Sequence, residues 1–332
     1  MRLTELPRIC LGQLPTPLEE AKRLSDVLGG PRIFFKRDDL TGIGLGGNKV
    51  RKLEFIIGKA LEEGADTLVV CGGFQSNMAR VSAAMANRVG MKVELVLGGL
   101  PGESRPPIAN LLLDHLLGAG IRLVDTVPRW EFGKFLHEVA EELRSAGRRP
   151  FVLAPGGSSP EGMAGYFSAT LEMAGQFSEQ GIEPSRIFVA VGSGSTFGGL
   201  LLGAMHVNPS FEVVGISVSR MSDYLSEKIP QLTTDAIGLL GLDKGVRGGD
   251  LTTYDQYIGE GYGALTDGAC EAIRLVAETE GVFLDPVYTG KCMAGLVDLI
   301  RKGIVGSDET VVFIHTGGSP ALFAYEKDDL MA

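Results

Sequence analysis

Short β-branched runs that end in glycine and lead directly into a helix recur along this chain, and that alternation constrains the fold more than any other feature. Residues 66–71 (DTLVVC) read as a strand that stops at Gly72 and Gly73. Residues 76–89 then read as a helix, with Ser76 as N-cap, small and apolar residues behind it, and Gly90 closing it. A strand at 92–97, a helix at 108–117, a strand at 122–124, a helix at 131–146 and a strand at 151–153 continue the series. A second series runs through a helix at 160–179, a strand at 186–191, a helix at 198–207, a strand at 211–218, a helix at 266–280 and a strand at 310–315. Strands separated by helices pair in parallel, and the helices cover the sheet. Residues 219–262, with scattered Gly and Asp among weak apolar clusters, give no legible element. The 332 residues exceed what one core usually takes. Two lobes are therefore expected: a smaller one at 51–159, inserted into a larger one built from 1–50 and 160–332.

The charge balance excludes some partners. A formal net charge of −10 argues against nucleic acid or an anionic membrane surface, though not against a small anionic substrate in a locally positive pocket. Cys10, Cys71, Cys270 and Cys292 form no CxxC pair and read as reduced thiols. His115, His137, His206 and His315 form no HExxH or HxH pattern, so no His-built metal site is expected. The first twenty residues lack the apolar run of a signal peptide, and no stretch approaches a membrane span, so a cytoplasmic location is expected.

Three places carry chemistry. Asp38, Asp39 and Leu40 lead through Gly42, Gly44, Gly46 and Gly47 to Asn48 and Lys49. A helix then begins, with Val50, Leu53, Ile57, Ala60 and Leu61 on its apolar face and Gly64 after its end. Read alone, Lys49 is more simply one of several solvated lysines and arginines, with Arg51 and Lys52. The functional reading is that the positive helix end and its basic neighbours favour the neutral amine, which can attack an aldehyde cofactor. Gly192, Ser193, Gly194, Ser195 and Thr196 lie between a strand and a helix, where backbone N–H groups and hydroxyls can cradle a phosphate. A tight turn without a ligand explains the glycines equally well, but not the density of hydroxyls. The spacing is neither GxGxxG nor a Walker GxxxxGK[ST], which points to a monophosphate rather than a dinucleotide or nucleoside triphosphate. Gly72 to Asn77 repeats the theme, and Ser76 there serves as a plain helix cap, as a carboxylate contact, or as both.

Together GGNKVRKLE (46–54), GGFQSN (72–77), GSGST (192–196), DPVYTGK (285–291) and HTGGSPALFAY (315–325) resemble the fold-type II pyridoxal-phosphate (PLP) enzymes. The resemblance spans nearly the whole chain and is nearest to the group of D-cysteine desulfhydrase, 1-aminocyclopropane-1-carboxylate (ACC) deaminase and L-cysteate sulfo-lyase. It implies a two-domain, tryptophan-synthase-β-like α/β architecture, each lobe a mainly parallel sheet flanked by helices, and a homodimer. By position it implies Lys49 as the cofactor lysine, the loop from Gly192 to Thr196 as phosphate cup and Asn77 on the 3′-oxygen. Thr316 would face the pyridine nitrogen; Gln75, Ser76, Asn77, Tyr262 and Tyr288 would meet a small amino-acid substrate. Lys49, Ser76, Tyr288 and Tyr262 are the catalytic candidates, with Tyr288 acting on the leaving group and Tyr262 positioning.

Two positions bear on the branch. ACC deaminases carry Glu after the second tyrosine, where this chain has Thr289, and leucine where it has Thr316. A hydroxyl leaves the pyridine nitrogen largely neutral and the electron sink weaker, which suits expulsion of a thiolate or sulfite better than opening of a cyclopropane. The resemblance therefore implies β-elimination of the D-cysteine desulfhydrase kind first, L-cysteate sulfo-lyase next and ACC deaminase after these. Met78 departs from the QSNH of the desulfhydrases: it either lines the pocket or simply packs. An NAD-linked oxidoreductase lacks its fingerprint here. A non-catalytic amino-acid or PLP-binding protein does not need the lysine and tyrosines that this chain retains. β-Replacement and serine or threonine dehydration match less well at GGNKVRKLE.

Overall fold

Parallel pairing dominates both sheets of the computed structural model, which describes residues 2–99, 106–125, 132–207 and 211–331. In chain order the strands are β1 (Leu18–Glu20), β2 (Arg32–Lys36), β3 (Thr67–Gly73), β4 (Lys92–Gly98), β5 (Gly120–Val124), β6 (Pro150–Val152), β7 (Arg186–Val191), β8 (Glu212–Ser217), β9 (Thr252–Tyr254) and β10 (Thr310–Ile314). The larger sheet has the order β1-β2-β10-β7-β8-β9, and the smaller one β5-β4-β3-β6. Among the described residues only the β1–β2 pairing, at the edge, is antiparallel. The central strands are apolar on both faces, as a helix-covered sheet requires: every residue of β7 after Arg186 is buried. The start of the helix expected at 131 lies outside the described residues, and the helix is seen at Phe132–Ser145.

Several elements differ from the sequence reading. The helix expected at 198–207 begins at Ser195, inside the glycine-rich loop. The stretch 219–262 contains the helix Ser222–Leu240 with Pro230 in its interior, followed by β9. That helix hides behind Pro230 and polar residues, but Leu225, Ile229, Thr233, Ala236 and Leu240 recur at helical spacing and are buried. Helix Thr289–Arg301 and the N-terminal strands β1 and β2 carried no signal that was read.

Helix Lys49–Glu62 corrects the largest misreading. The sequence places Leu61 on its apolar face, and read alone it leaves Arg51 and Lys52 solvated. Leu61 is exposed, while Arg51, Lys52, Glu54 and Phe55 are buried. Val50, Leu53, Ile56, Ile57 and Ala60 join the core of the smaller sheet, and Phe55 joins that of the larger one. The helix thus runs between the two cores and is exposed to water only at its C-terminal end, at Leu61 and Glu62. Its polar side chains are satisfied inside. Glu54 accepts hydrogen bonds from Arg8 and from the Leu11 and Gly12 amides. Arg51 reaches Asp38 and Glu172.

Close packing against helix Pro160–Gln180 makes this possible. A Cβ on Gly165 would come within 2.4 Å of the Arg51 carbonyl oxygen and 2.9 Å of the Lys52 nitrogen. Gly165→Ala, which would favour an isolated helix, is therefore expected to destabilise the protein by about 1–3 kcal/mol through overpacking. Chemical denaturation checks this, and a variant as stable as the parent would contradict the contact.

Candidate active site

The loops that follow the C-terminal ends of β2, β10 and β7 in the larger sheet, and of β3 in the smaller, converge on one cleft of about 940 Å³, counting the space at its open mouth. This is where open α/β sheets present ligand sites. Lys49, Ser76, Asn77, Tyr262, Tyr288 and Thr316 all line it. So do Gly192, Ser193, Gly194 and Thr196.

Two expected residues stand apart. The Gln75 side chain accepts from the Asn110 amide at 2.8 Å and donates to the Ile108 carbonyl at 3.2 Å, which keeps it out of the cleft lining. Ser195 is buried, and its hydroxyl lies 3.3 Å from the Gly157 carbonyl and 3.4 Å from the Ser158 hydroxyl, so its side chain supports the loop from behind. The sequence reading also missed Asn48, Cys71 and Phe132, which line the cleft. Adjacency to Lys49 was a signal for Asn48, whereas nothing in the sequence marked Phe132.

The lysine loop is held at short range. Gly47 donates to the Asp38 carbonyl and to the Thr41 hydroxyl, and Asn48 donates its N–H to the Thr316 carbonyl at 2.9 Å. Gly47 and Gly317 have φ of 113° and 86°, and a Cβ on Gly317 would lie 2.7 Å from the Gly47 Cα. Only glycines let these two loops approach so closely. The Asn48 amide then donates to Thr196 Oγ1 at 3.1 Å, joining the lysine loop to the third loop of the site.

His315, fully buried, fixes the turn at Thr316. Its Nδ1 accepts from the Gly317 N–H at 3.2 Å, so Nε2 carries the hydrogen and donates to the Phe283 carbonyl at 3.1 Å. Burial holds its pKa below the ordinary histidine value, in keeping with that neutral tautomer. Thr289 is also buried and does not line the cleft, because its hydroxyl is bonded to Asp285 at 2.7 Å. Thr316 is therefore the only one of the two branch-marking hydroxyls that faces the site.

On the opposite wall, Ser76 Oγ accepts from the Ala79 N–H at 3.2 Å as an N-cap, which leaves its own O–H free to donate into the cleft. Asn77 Oδ1 accepts from Asn110 Nδ2 at 3.0 Å and from Arg80 Nη2 at 3.4 Å, so the Asn77 amide nitrogen is left as donor. Met78 lines the cleft and packs as well: its methyl occupies the space that a Cβ on Gly157 would enter, 2.4 Å away. Lys52, one turn past Lys49, donates to the Gly156 carbonyl at 2.6 Å. Burial first, and the Lys49 charge second, hold its pKa well below the ordinary lysine value. At the mouth, Tyr262 and Tyr288 meet hydroxyl to hydroxyl at 2.6 Å, with rings 5.9 Å apart and tilted by 69°.

The donor set fits a phosphorylated aldehyde. The loop from Gly192 to Thr196 enters the helix Ser195–Val207 and points N–H groups and hydroxyls at one end of the cleft. The cradle has room only because its residues lack Cβ atoms: one on Gly192 would lie 3.2 Å from the Tyr288 ring, and one on Gly156 would lie 2.5 Å from the Ser193 hydroxyl. Lys49 supplies the amine, Asn77 a neutral donor and Thr316 a hydroxyl.

Such a site, at the strand ends of two helix-covered sheets, defines a PLP-dependent enzyme. The family model for pyridoxal-phosphate-dependent enzymes matches residues 9–317, and the chain belongs to that family. It is 41% identical over 331 residues to a putative 1-aminocyclopropane-1-carboxylate deaminase of Pyrococcus abyssi, covering 99% of this chain and 96% of the relative. It is 42% identical over 326 residues to D-cysteine desulfhydrase of Salmonella newport, covering 97% of each. Among solved structures, an ACC deaminase homologue superposes with a TM-score of 0.91 at 41% identity, covering 99% of this chain and 97% of that one. Threonine deaminase of Solanum lycopersicum has a TM-score of 0.69 at 16% identity, covering 99% and 89%, and shares the fold. The protein is thus a PLP-dependent enzyme of the ACC deaminase and D-cysteine desulfhydrase type. Among the described residues no helix is long and apolar enough to cross a membrane.

Behind Asn77, Asp114 is fully buried and neither carboxylate oxygen has a hydrogen-bond partner. Burial raises its pKa from 3.8 to about 7, outweighing the attraction of Arg80. Among the described residues no other charge relieves it. Arg122 on β5 pairs with Glu94 and Glu142, and the turn Ser319–Ala324 carries no ionisable side chain. A carboxyl whose folded-state pKa is raised contributes stability that is full below the unfolded value and is lost as pH rises through the folded one. Asp114→Asn, neutral at every pH, should therefore gain stability relative to the parent between about pH 4.5 and 7.5, by no more than about 4 kcal/mol. Melting both proteins across that range checks this; a flat difference would contradict it.

Proposed function

We propose that the protein catalyses PLP-dependent β-elimination from a small amino acid, with D-cysteine as first candidate and sulfide, pyruvate and ammonia as products. The observation that carries this reading is the composition of the cleft: an amine, two hydrogen-bonded phenols and the hydroxyl of Thr316, with no carboxylate among the described lining residues. When bound, PLP supplies the electron sink that lets a proton leave the α-carbon.

The chain's own residues do the rest. Lys49 Nζ would hold the cofactor, and its amine lines the cleft where it can take the α-proton. The amides and hydroxyls of Gly192 to Thr196 hold the phosphate, with Ser195 contributing through its backbone. The Asn77 amide donates to the 3′-oxygen. Thr316 would present a hydroxyl, and no carboxylate, to the pyridine nitrogen. Ser76 Oγ–H donates to the substrate carboxylate. Between Tyr262 and Tyr288 one hydroxyl donates to the other, so the pair can pass a proton to the departing group. The 42% exposure of Tyr262 gives that proton a route to solvent.

The reading takes the protein to be a cytoplasmic homodimer and its smaller lobe to span 51–159. L-Cysteate, with sulfite as leaving group, is the next candidate. ACC deamination is retained as a second reading because relatives at 41% identity bear that name.

Turnover measured on a panel of D-cysteine, L-cysteine, L-cysteate, β-chloro-D-alanine, D-serine and ACC separates these readings. Pyruvate with sulfide from D-cysteine is expected; α-ketobutyrate from ACC with no pyruvate from D-cysteine would overturn the proposal. Tyr288→Phe should lower kcat by roughly 10²–10⁴-fold while the cofactor stays bound. Unchanged kcat in that variant removes Tyr288 from the proton route.

A further inference from the structure

Arg80 is fully buried, yet among the described residues no carboxylate lies within ion-pair distance of it. Its guanidinium instead spans three oxygens. Nη1 donates to the Gly44 carbonyl at 2.7 Å, and Nη2 donates to the Gly46 carbonyl at 3.2 Å and to Asn77 Oδ1 at 3.4 Å. Gly44 and Gly46 belong to the loop that delivers Lys49, and Asn77 belongs to the opposite wall of the cleft. One side chain therefore joins the two walls.

The surroundings of Arg80 are incompletely satisfied. Its Nε, Asn110 Oδ1 and both oxygens of Asp114 are buried without partners. Asn110 donates through its amide nitrogen to Asn77 Oδ1 and to the Gln75 carbonyl. A charged cluster of this kind costs stability, and burial lowers the Arg80 pKa to about 10 despite the nearby Asp114. An apolar side chain would fill the space at lower cost, but it could not grip two glycine carbonyls and an amide at once.

We infer that Arg80, with Asn110 as second donor, is a positioning residue that locks Asn77 in the orientation presenting its amide nitrogen to the cofactor and ties that contact to the lysine loop. The inference rests on the proposed contact of Asn77 with the cofactor's 3′-oxygen and extends it. Without Arg80 and Asn110, the Asn77 amide can rotate and place its oxygen where a donor is needed.

The test uses the full-length protein stripped of PLP and titrated back with it, and reads cofactor binding and spectrum rather than turnover. A donor held on the 3′-oxygen withdraws electron density and disfavours the protonated chromophore. Arg80→Lys and Arg80→Gln, which cannot span the three oxygens, should raise the PLP dissociation constant about tenfold. They should also move the pH midpoint of the visible band upward, by roughly half a unit or more. Arg80→Gln guards against loss of folding, since it removes the buried charge. Asn77→Ala should reproduce both effects, and adding Arg80→Gln to it should change little more. Arg148→Lys, in the cluster with Asp66 and Thr67 at the far end of β3, should leave both readouts at the parent's values. Parental affinity and midpoint in folded Arg80 variants would overturn the inference. So would a midpoint that moves in the Arg80 variants but not in Asn77→Ala, because the effect would then bypass Asn77. Neither result bears on Lys49 or on the leaving group, which the substrate panel tests separately.

Discussion

The ion pair between Arg51 and Asp38 is the contact on which the site depends. Both residues are almost fully buried. Arg51 donates to both Asp38 oxygens at 2.9 Å and to both Glu172 oxygens at 2.8 and 2.9 Å. Lys36, Thr16 and Tyr166 complete the network. Burial opposes every charge in it, yet Asp38 and Glu172 stay below the ordinary carboxylate range because Arg51 lies against them. Removing one partner of such a pair strands the other and costs about 3–5 kcal/mol, whereas the intact pair adds little net stability. Its contribution is to geometry. Asp38 closes the end of β2 and accepts from Gly47 through its carbonyl, and Arg51 is two residues past Lys49. Glu172 lies on the helix that packs against this one. The network therefore fixes where the lysine loop ends and at what angle the helix behind it leaves.

From that fixed point the other loops are placed by backbone contact. Asn48 bonds to Thr316 and reaches Thr196, while Arg80 ties Gly44 and Gly46 to Asn77. The ends of β2, β10, β7 and β3 are thus joined through the residues that flank Lys49. Buried groups whose pKa values are displaced, His315, Lys52, Arg80 and Asp114, lie around these loops. This is the pattern of a site arranged for chemistry at some cost in stability.

The parts of the molecule that obey local rules were legible in the sequence. β-Branched runs located β3, β4 and β7, and an N-cap at Ser76 located the helix that starts at Asn77. Most of the cleft lining was also legible, because glycine and hydroxyl motifs at strand ends advertise an anion site. Tertiary effects were not legible. Arg51 and Lys52 look like surface residues until Asp38, Glu172 and the Gly156 carbonyl, all distant along the chain from one or both of them, come into contact with them. The outward turn of Gln75 depends on Asn110, and the helix through Pro230 depends on burial of a face that propensity alone disfavours. Thr289 resembled a site residue by position, but Asp285 occupies its hydroxyl.

Two lysines one helical turn apart could each offer an amine to an aldehyde. Lys49 faces the cleft, whereas Lys52 is spent on the Gly156 carbonyl. Borohydride reduction of the yellow protein, followed by digestion and mass-spectrometric mapping of the reduced adduct, tests the arrangement most directly. The account predicts a single pyridoxyl label on Lys49, at about one per chain, and loss of the visible band. A label on Lys52, or a protein that takes up no PLP at all, would contradict it.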